Sequence, residues 1–106
     1  GLACAVVLPY ALRLNRQNPA VDEKLRYLSR LCGCEDIVEA ICRLEQAIGI
    51  PDSLQKAGIE EGAFLGSLNF LVQSSLLGAT KFNPVLMTEE NIRALLEESY
   101  YGKTAR

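Results

Sequence analysis

Side chains able to do chemistry are sparse here, and what is missing narrows the options first. The chain has no histidine. It therefore lacks the side chain that most readily exchanges a proton near pH 7, and it has no imidazole to offer a metal. Its cysteines are Cys4, Cys32, Cys34 and Cys42. Cys32-Gly33-Cys34 is a C-x-C pair, not the C-x-x-C of zinc ribbons or thioredoxin-like sites. Without histidine the mixed Cys/His zinc sites cannot form. Cys4 and Cys42 stand in apolar helical contexts and read as small core residues. All four are expected to be free thiols in a reducing, cytoplasmic setting. Glu60-Glu61, Glu89-Glu90 and Glu97-Glu98 are adjacent carboxylates. Neighbours on a helix point about 100° apart, so these pairs read as solvated faces rather than acid–base couples. Ser29, Ser53, Ser67, Ser74, Ser75 and Ser99 have no basic partner that spacing could name. Gly62-Ala63-Phe64-Leu65-Gly66 lacks the preceding strand and the Lys-Ser/Thr of a phosphate loop. One segment is unusual for packing alone. Gly78-Ala79-Thr80-Lys81-Phe82-Asn83-Pro84 is a long, partly apolar loop where bundles use about 2–8 residues. It is either a connector whose Phe82 tucks into the core or a loop lining a pocket formed with another domain.

The elements that would position these groups are helices. Leu2 to about Arg16 is apolar nearly all round, which predicts a buried helix. Leu2, Ala5, Val6, Pro9 and Leu12 mark one face, and Val7, Tyr10, Ala11 and Leu14 a second. Arg13 falls on the first stripe. Pro9 predicts a kink, or a break into two short helices at Leu8. A second helix is expected from Ala20 or Asp22 to Cys32, with Val21, Leu25, Leu28 and Leu31–Cys32 inward and Gly33 closing it. A third is expected from about Glu35 to Ile48, with Ile37, Val38, Ile41, Leu44, Ala47 and Ile48 inward. Asp52 or Ser53 caps a short helical turn over Leu54–Ala57. Glu60 to Leu77 predicts a further helix, with Phe64, Leu65, Leu68, Leu71, Val72 and Leu76 at helical spacing. Gly62 and Gly66 each weaken it by about 1 kcal/mol relative to Ala. Gly78 to Met87 is a loop. Thr88 caps a last helix, Glu89 to about Tyr101, with Ile92, Leu95, Leu96 and Ser99 inward. The tail from Lys103 is expected to fray. No segment alternates as a half-buried strand does, so the fold expected is an all-α bundle of about five helices.

At 106 residues the chain is one domain, residues 1–106, large enough to bury roughly 60–70% of its unfolded surface. A net charge of −2, scattered basic residues and the absence of Trp argue against a nucleic-acid partner. Arg13 and Arg16 interrupt the first apolar run well short of the roughly 18–20 residues of a membrane span. That run also lacks the basic lead-in of a signal peptide. Gly1 opens directly on apolar residues with no Ser, Thr, Asp or Asn to cap the first helix. The expectation is therefore that the chain continues upstream and that this is its C-terminal piece.

Three motifs, in order, resemble the C-terminal helical domain of the iron-containing alcohol dehydrogenases, a dehydroquinate synthase-like fold. Gly1-Leu2-Ala3-Cys4-Ala5-Val6-Val7-Leu8-Pro9-Tyr10-Ala11-Leu12-Arg13-Leu14-Asn15 resembles the family's HG-(L/V)-A-N-A-(I/L)-L-L-P-H-V-(L/M)-R-(F/Y)-N. Ile48-Gly49-Ile50-Pro51, with Ser53-Leu54 and Ala57-Gly58-Ile59, resembles GIP-x-(S/H)-L-x-x-x-G-V. Gly78-Ala79-Thr80-Lys81-Phe82-Asn83-Pro84, running on to Thr88-Glu89-Glu90-Asn91-Ile92, resembles G-A-T-K-T-N-P followed by T-E-E-D-I. The resemblance covers essentially the whole chain.

It implies an NAD(P)-dependent oxidoreductase interconverting alcohols with aldehydes or ketones. Such an enzyme has an upstream nucleotide-binding α/β domain and a divalent metal, Fe2+ or Zn2+, polarising the reacting oxygen. The family's ligands are an Asp and three His, and the last His directly precedes the Gly that matches Gly1. This chain is thus expected to hold no metal ligand, no nucleotide site and no catalytic residue of its own, and to be inactive alone. Its partners would be the N-terminal domain of its parent and further copies of that parent. The family's third-motif loop approaches the substrate pocket, which makes Ala79, Thr80, Lys81 and Phe82 the pocket-lining candidates. Tyr10 stands where the family often has His, Leu77 where Asp is common, and Val85-Leu86 where Arg-Pro is frequent. Tyr100-Tyr101-Gly102 also suits the fused aldehyde–alcohol dehydrogenases. The alternative is an autonomous all-α interaction module that starts at or near Gly1 and binds a partner helix in a groove. An exposed apolar patch, expected on the first helix, would favour the fragment.

Overall fold

Most helices begin where a polar side chain takes up a free N–H, and the computed structural model describes residues 1–102. The expected frayed tail, 103–106, lies outside the described residues. The helices are α1 (Leu2–Asn15), α2 (Pro19–Cys32), α3 (Ile37–Ala47), α4 (Glu61–Leu77) and α5 (Glu89–Tyr101). Among the described residues there is no strand, in keeping with the all-α expectation.

Asn18 starts α2: its Oδ1 accepts the Ala20 N–H at 2.9 Å, and Pro19 occupies the first helical position, where no N–H is needed. That moves the start ahead of the expected Ala20. Asp36 starts α3, accepting from Val38 N–H at 2.9 Å, so α3 is shorter at both ends than the Glu35–Ile48 expected. Thr88 caps α5 as anticipated, accepting from Asn91 N–H at 3.1 Å. Gly33 and Gly102 close α2 and α5 in the left-handed region, with φ of 68° and 80°. α1 runs through Pro9 as one helix, without the break considered at Leu8. Leu54–Ala57 is the single helical turn expected, capped by Ser53: its Oγ accepts the Lys56 N–H at 3.1 Å and its carbonyl the Ala57 N–H at 3.1 Å. The loop after α4 contains a 3-10 turn, Ala79–Phe82.

The core is one cluster: Val6 of α1, Leu54, Phe64, Leu68 and Val72 of α4, and Ile92 and Tyr100 of α5. The Tyr100 ring stacks on Phe64 with centroids 4.2 Å apart and planes 9° from parallel. Its hydroxyl donates to the Ile59 carbonyl at 2.7 Å, so the phenol is buried with its polar tip satisfied.

Several expected inward positions face solvent instead. α1 is not buried all round: Leu2 and Leu8 are exposed, and so is Cys4. Cys4 is therefore not a core residue, and Cys42 is half-buried. On α2 only Leu25 of the expected apolar stripe is buried, with Leu28 and Leu31 exposed. On α3, Leu44 and Ile48 are exposed. Leu65 and Leu71 on α4 are exposed while Phe64, Leu68 and Val72 are not. Periodicity marks an apolar face whether or not these 106 residues supply its cover.

Candidate functional site

The segment after α4 is fixed at three points. The Thr80 hydroxyl donates to the Ser75 carbonyl, folding the turn back on the end of α4. Asn83 Nδ2 donates to Asn15 Oδ1 at 2.6 Å and to the Val85 carbonyl at 3.0 Å. Asn18 Nδ2 donates to the Pro84 carbonyl at 3.1 Å while its other amide atom caps α2. The corner between α1 and α2 thus holds the loop by two asparagine side chains. Arg16 braces the same corner. Its Nη1 donates to Asp36 Oδ2 at 3.0 Å, and its Nε lies 3.1 Å from Asp22 Oδ1, off line for a hydrogen bond. The Arg16 hydrogen bond, more than Asp36's own capping contact, holds the Asp36 carboxyl below the usual carboxylate range.

Among the sequence candidates, Lys81 and Phe82 are exposed, with Lys81 Nζ 5.4 Å from the Phe82 ring centre. Phe82 is 79% exposed, so it does not tuck into the core. Thr80 is half-buried through its bond to Ser75. Ala79 opens the turn, and its side-chain surroundings lie outside the described residues. Thr80, Lys81 and Phe82 sit on one 3-10 turn.

A cleft of about 390 Å³ lies elsewhere, between α1, α3 and the segment after α3. Tyr10, Arg13, Glu39, Cys42, Asp52 and Lys56 line it. Tyr10 donates its hydroxyl to the Asp52 carbonyl at 2.5 Å, and burial, then the Asp52 carboxylate, pushes its phenol up. Arg13 Nη2 lies 3.1 Å from Glu39 Oε2 and 3.4 Å from Cys42 Sγ. Lys56 Nζ lies 3.2 Å from Asp52 Oδ1. Each cation is already matched by a carboxylate. The group against the Cys42 thiol is a guanidinium, which stays protonated and cannot serve as a base. The cleft is braced rather than poised for a reaction. Arg13 on the apolar stripe of α1 was the sequence signal for it, since a charge there needs a partner.

Among the described residues no three His, Cys, Asp or Glu side chains come together as a metal site. No helix among the described residues is long and apolar enough to cross a membrane.

The three sequence motifs are neighbours in space. α1 carries the first, and its Tyr10 reaches the second at Asp52. Its Asn15 reaches the third at Asn83. The second motif in turn closes α5: the N–H groups of Leu54 and Gln55 donate to the Ser99 and Tyr100 carbonyls at 2.9 and 3.1 Å. These satisfy acceptors that a helix end leaves free. Comparison with known proteins points the same way. The family model described as "Fe-containing alcohol dehydrogenase family, C-terminal" matches residues 1–100. The chain belongs to the Fe-containing alcohol dehydrogenase family. 1,3-Propanediol dehydrogenase of Klebsiella pneumoniae is 31% identical over 110 residues, covering 94% of this chain and 27% of that protein. An aldehyde-alcohol dehydrogenase of Streptococcus pneumoniae is 26% identical over 130 residues, covering 100% of this chain and 14% of that protein. The chain thus spans about a quarter or less of these relatives. Within the family's C-terminal domain, Asn15, Asn18 and Asn83 hold the third-motif loop in place. Spacing alone did not single them out.

Proposed function

We propose that this chain is the C-terminal helical domain of a metal-dependent, NAD(P)-linked alcohol dehydrogenase, one that interconverts alcohols with aldehydes or ketones in the cytoplasm. The observation that carries this reading is the family match over residues 1–100, with its three motifs tied to one another through α1. The small share of each relative that is matched supports a parent in which nucleotide and metal are bound by residues upstream, an N-terminal α/β domain being the first partner. The domain taken alone is proposed to be inactive, and the parent to assemble as a homo-oligomer.

In this reading the turn Ala79–Phe82 lines the substrate pocket from one side. Its support is the pinning by Asn15 and Asn18, which would hold the exposed Lys81 and Phe82 in a fixed place facing a second domain. Lys81→Ala is expected to leave the stability of the chain, read by urea titration, within about 0.5 kcal/mol, because Lys81 is exposed. In the parent the same change is expected to alter turnover or substrate preference. The deciding experiment is to read the coding sequence upstream and assay the encoded parent for NAD(P)-linked alcohol oxidation, with and without a chelator. A His codon directly ahead of Gly1 and chelator-sensitive activity support the proposal. A start codon at that point favours a free-standing binding module.

A further inference from the structure

The outward side of α4 is the least explained surface of the molecule. Gly62, Gly66, Phe70, Ser74 and Leu77 follow one another in steps of four and three, so they share one stripe about 22 Å long. It lies opposite the buried row of Phe64, Leu68 and Val72. Phe70 is 72% and Leu77 86% exposed. From Gly62 to Thr88 the sole charged residue is Lys81. A solvated helix face normally carries charge, and one apolar all round belongs in an interior. The glycines sharpen the point. Beyond the helix's own backbone, neither meets an atom of the described residues within 4 Å of where a Cβ would stand, so no described residue packed on them requires them to be small. Each nevertheless weakens the helix.

We infer that this stripe seats an apolar helix of the parent chain from the part that precedes residue 1, its backbone passing close over Gly62 and Gly66. This rests on the reading above that the chain is the C-terminal domain of a longer one. Nearly three quarters of the 1,3-propanediol dehydrogenase lies outside the match, and the matching family model is its C-terminal one, so ample upstream chain exists in such proteins to cover the stripe. The lack of charge excludes an ionic partner. A nucleic acid or an acidic peptide would find nothing to pair with.

The test compares Gly66→Ala and Gly66→Leu in the 106-residue chain and in the full parent, reading urea midpoints and light scattering. In the short chain, open space and better helix propensity are expected to raise the midpoint or leave it unchanged. In the parent, both changes are expected to lower it, Leu more than Ala, because the added atoms meet the covering helix. If the Leu variant fails to fold in the parent, the Ala variant still carries the sign. Midpoints that move the same way in both proteins overturn the inference. So does a short chain that is a stable dimer and becomes monomeric on Gly66→Leu, which assigns the stripe to a second copy. Alcohol oxidation by the unmodified parent is scored separately. Its absence removes the enzymatic reading and leaves the sign reversal at Gly66 standing.

Discussion

Tyr10 has a phenol long enough to reach the Asp52 carbonyl across the cleft. Deleting that hydroxyl leaves a partly buried carbonyl without a donor. Tyr10→Phe is therefore expected to lower stability by about 0.5–1.5 kcal/mol in urea titration. No change would mean that solvent already serves that carbonyl. Asp36 gives a pH signature. Its folded pKa lies below the unfolded value of about 3.9, chiefly through the Arg16 hydrogen bond. The stabilisation is therefore fully present above about pH 4 and is lost as pH falls through the lower, folded value. Arg16→Gln is expected to shallow that acid limb, read as melting temperature between pH 2 and 5. Parallel limbs in the two proteins would show that Arg16 is not the cause. Leu77 and Leu86 are among the most exposed apolar side chains, at 86% and 80%.

At the level of elements, burial separates helices that look alike in sequence. Phe64 is 4% exposed and stacked on Tyr100, so Phe64→Ala is expected to cost about 3–5 kcal/mol. Leu8 is 42% exposed, so Leu8→Ala should fall below the ~2 kcal/mol lower bound for a buried leucine. Calorimetry of the two variants checks the ordering, and equal losses would mean that Leu8 is packed. The five helices were legible because capping residues and 3.6-residue periodicity are local signals: Thr88 and Gly33 each mark an end by residue type alone. Which face goes inward was legible only where one face is apolar. α2 yields Leu25, but α4 offers apolar residues on every side, and nothing in its sequence prefers Phe64 over Leu65. The turn at 79–82 stood out by length and composition. Its anchors did not, because an asparagine paired with another 68 residues away leaves no periodic trace.

Among the described residues, more large apolar side chains are exposed than buried. Leu2, Leu8, Tyr27, Leu28, Leu31, Leu44 and Ile48 join the stripe of α4 on the outside. The exposed apolar side chains of α1 are thus part of a wider set. α1 remains the hub, since Tyr10 ties it to the segment after α3 and Asn15 to the segment after α4. Those ties also set an order of events during synthesis. Asn83 trails Asn15 by 68 residues, which at roughly 5–20 residues per second is about 3–14 s of translation. Through that interval α1 has left the ribosome while the loop that fastens its end has not yet been made. An apolar helix waiting that long is a natural client for a chaperone.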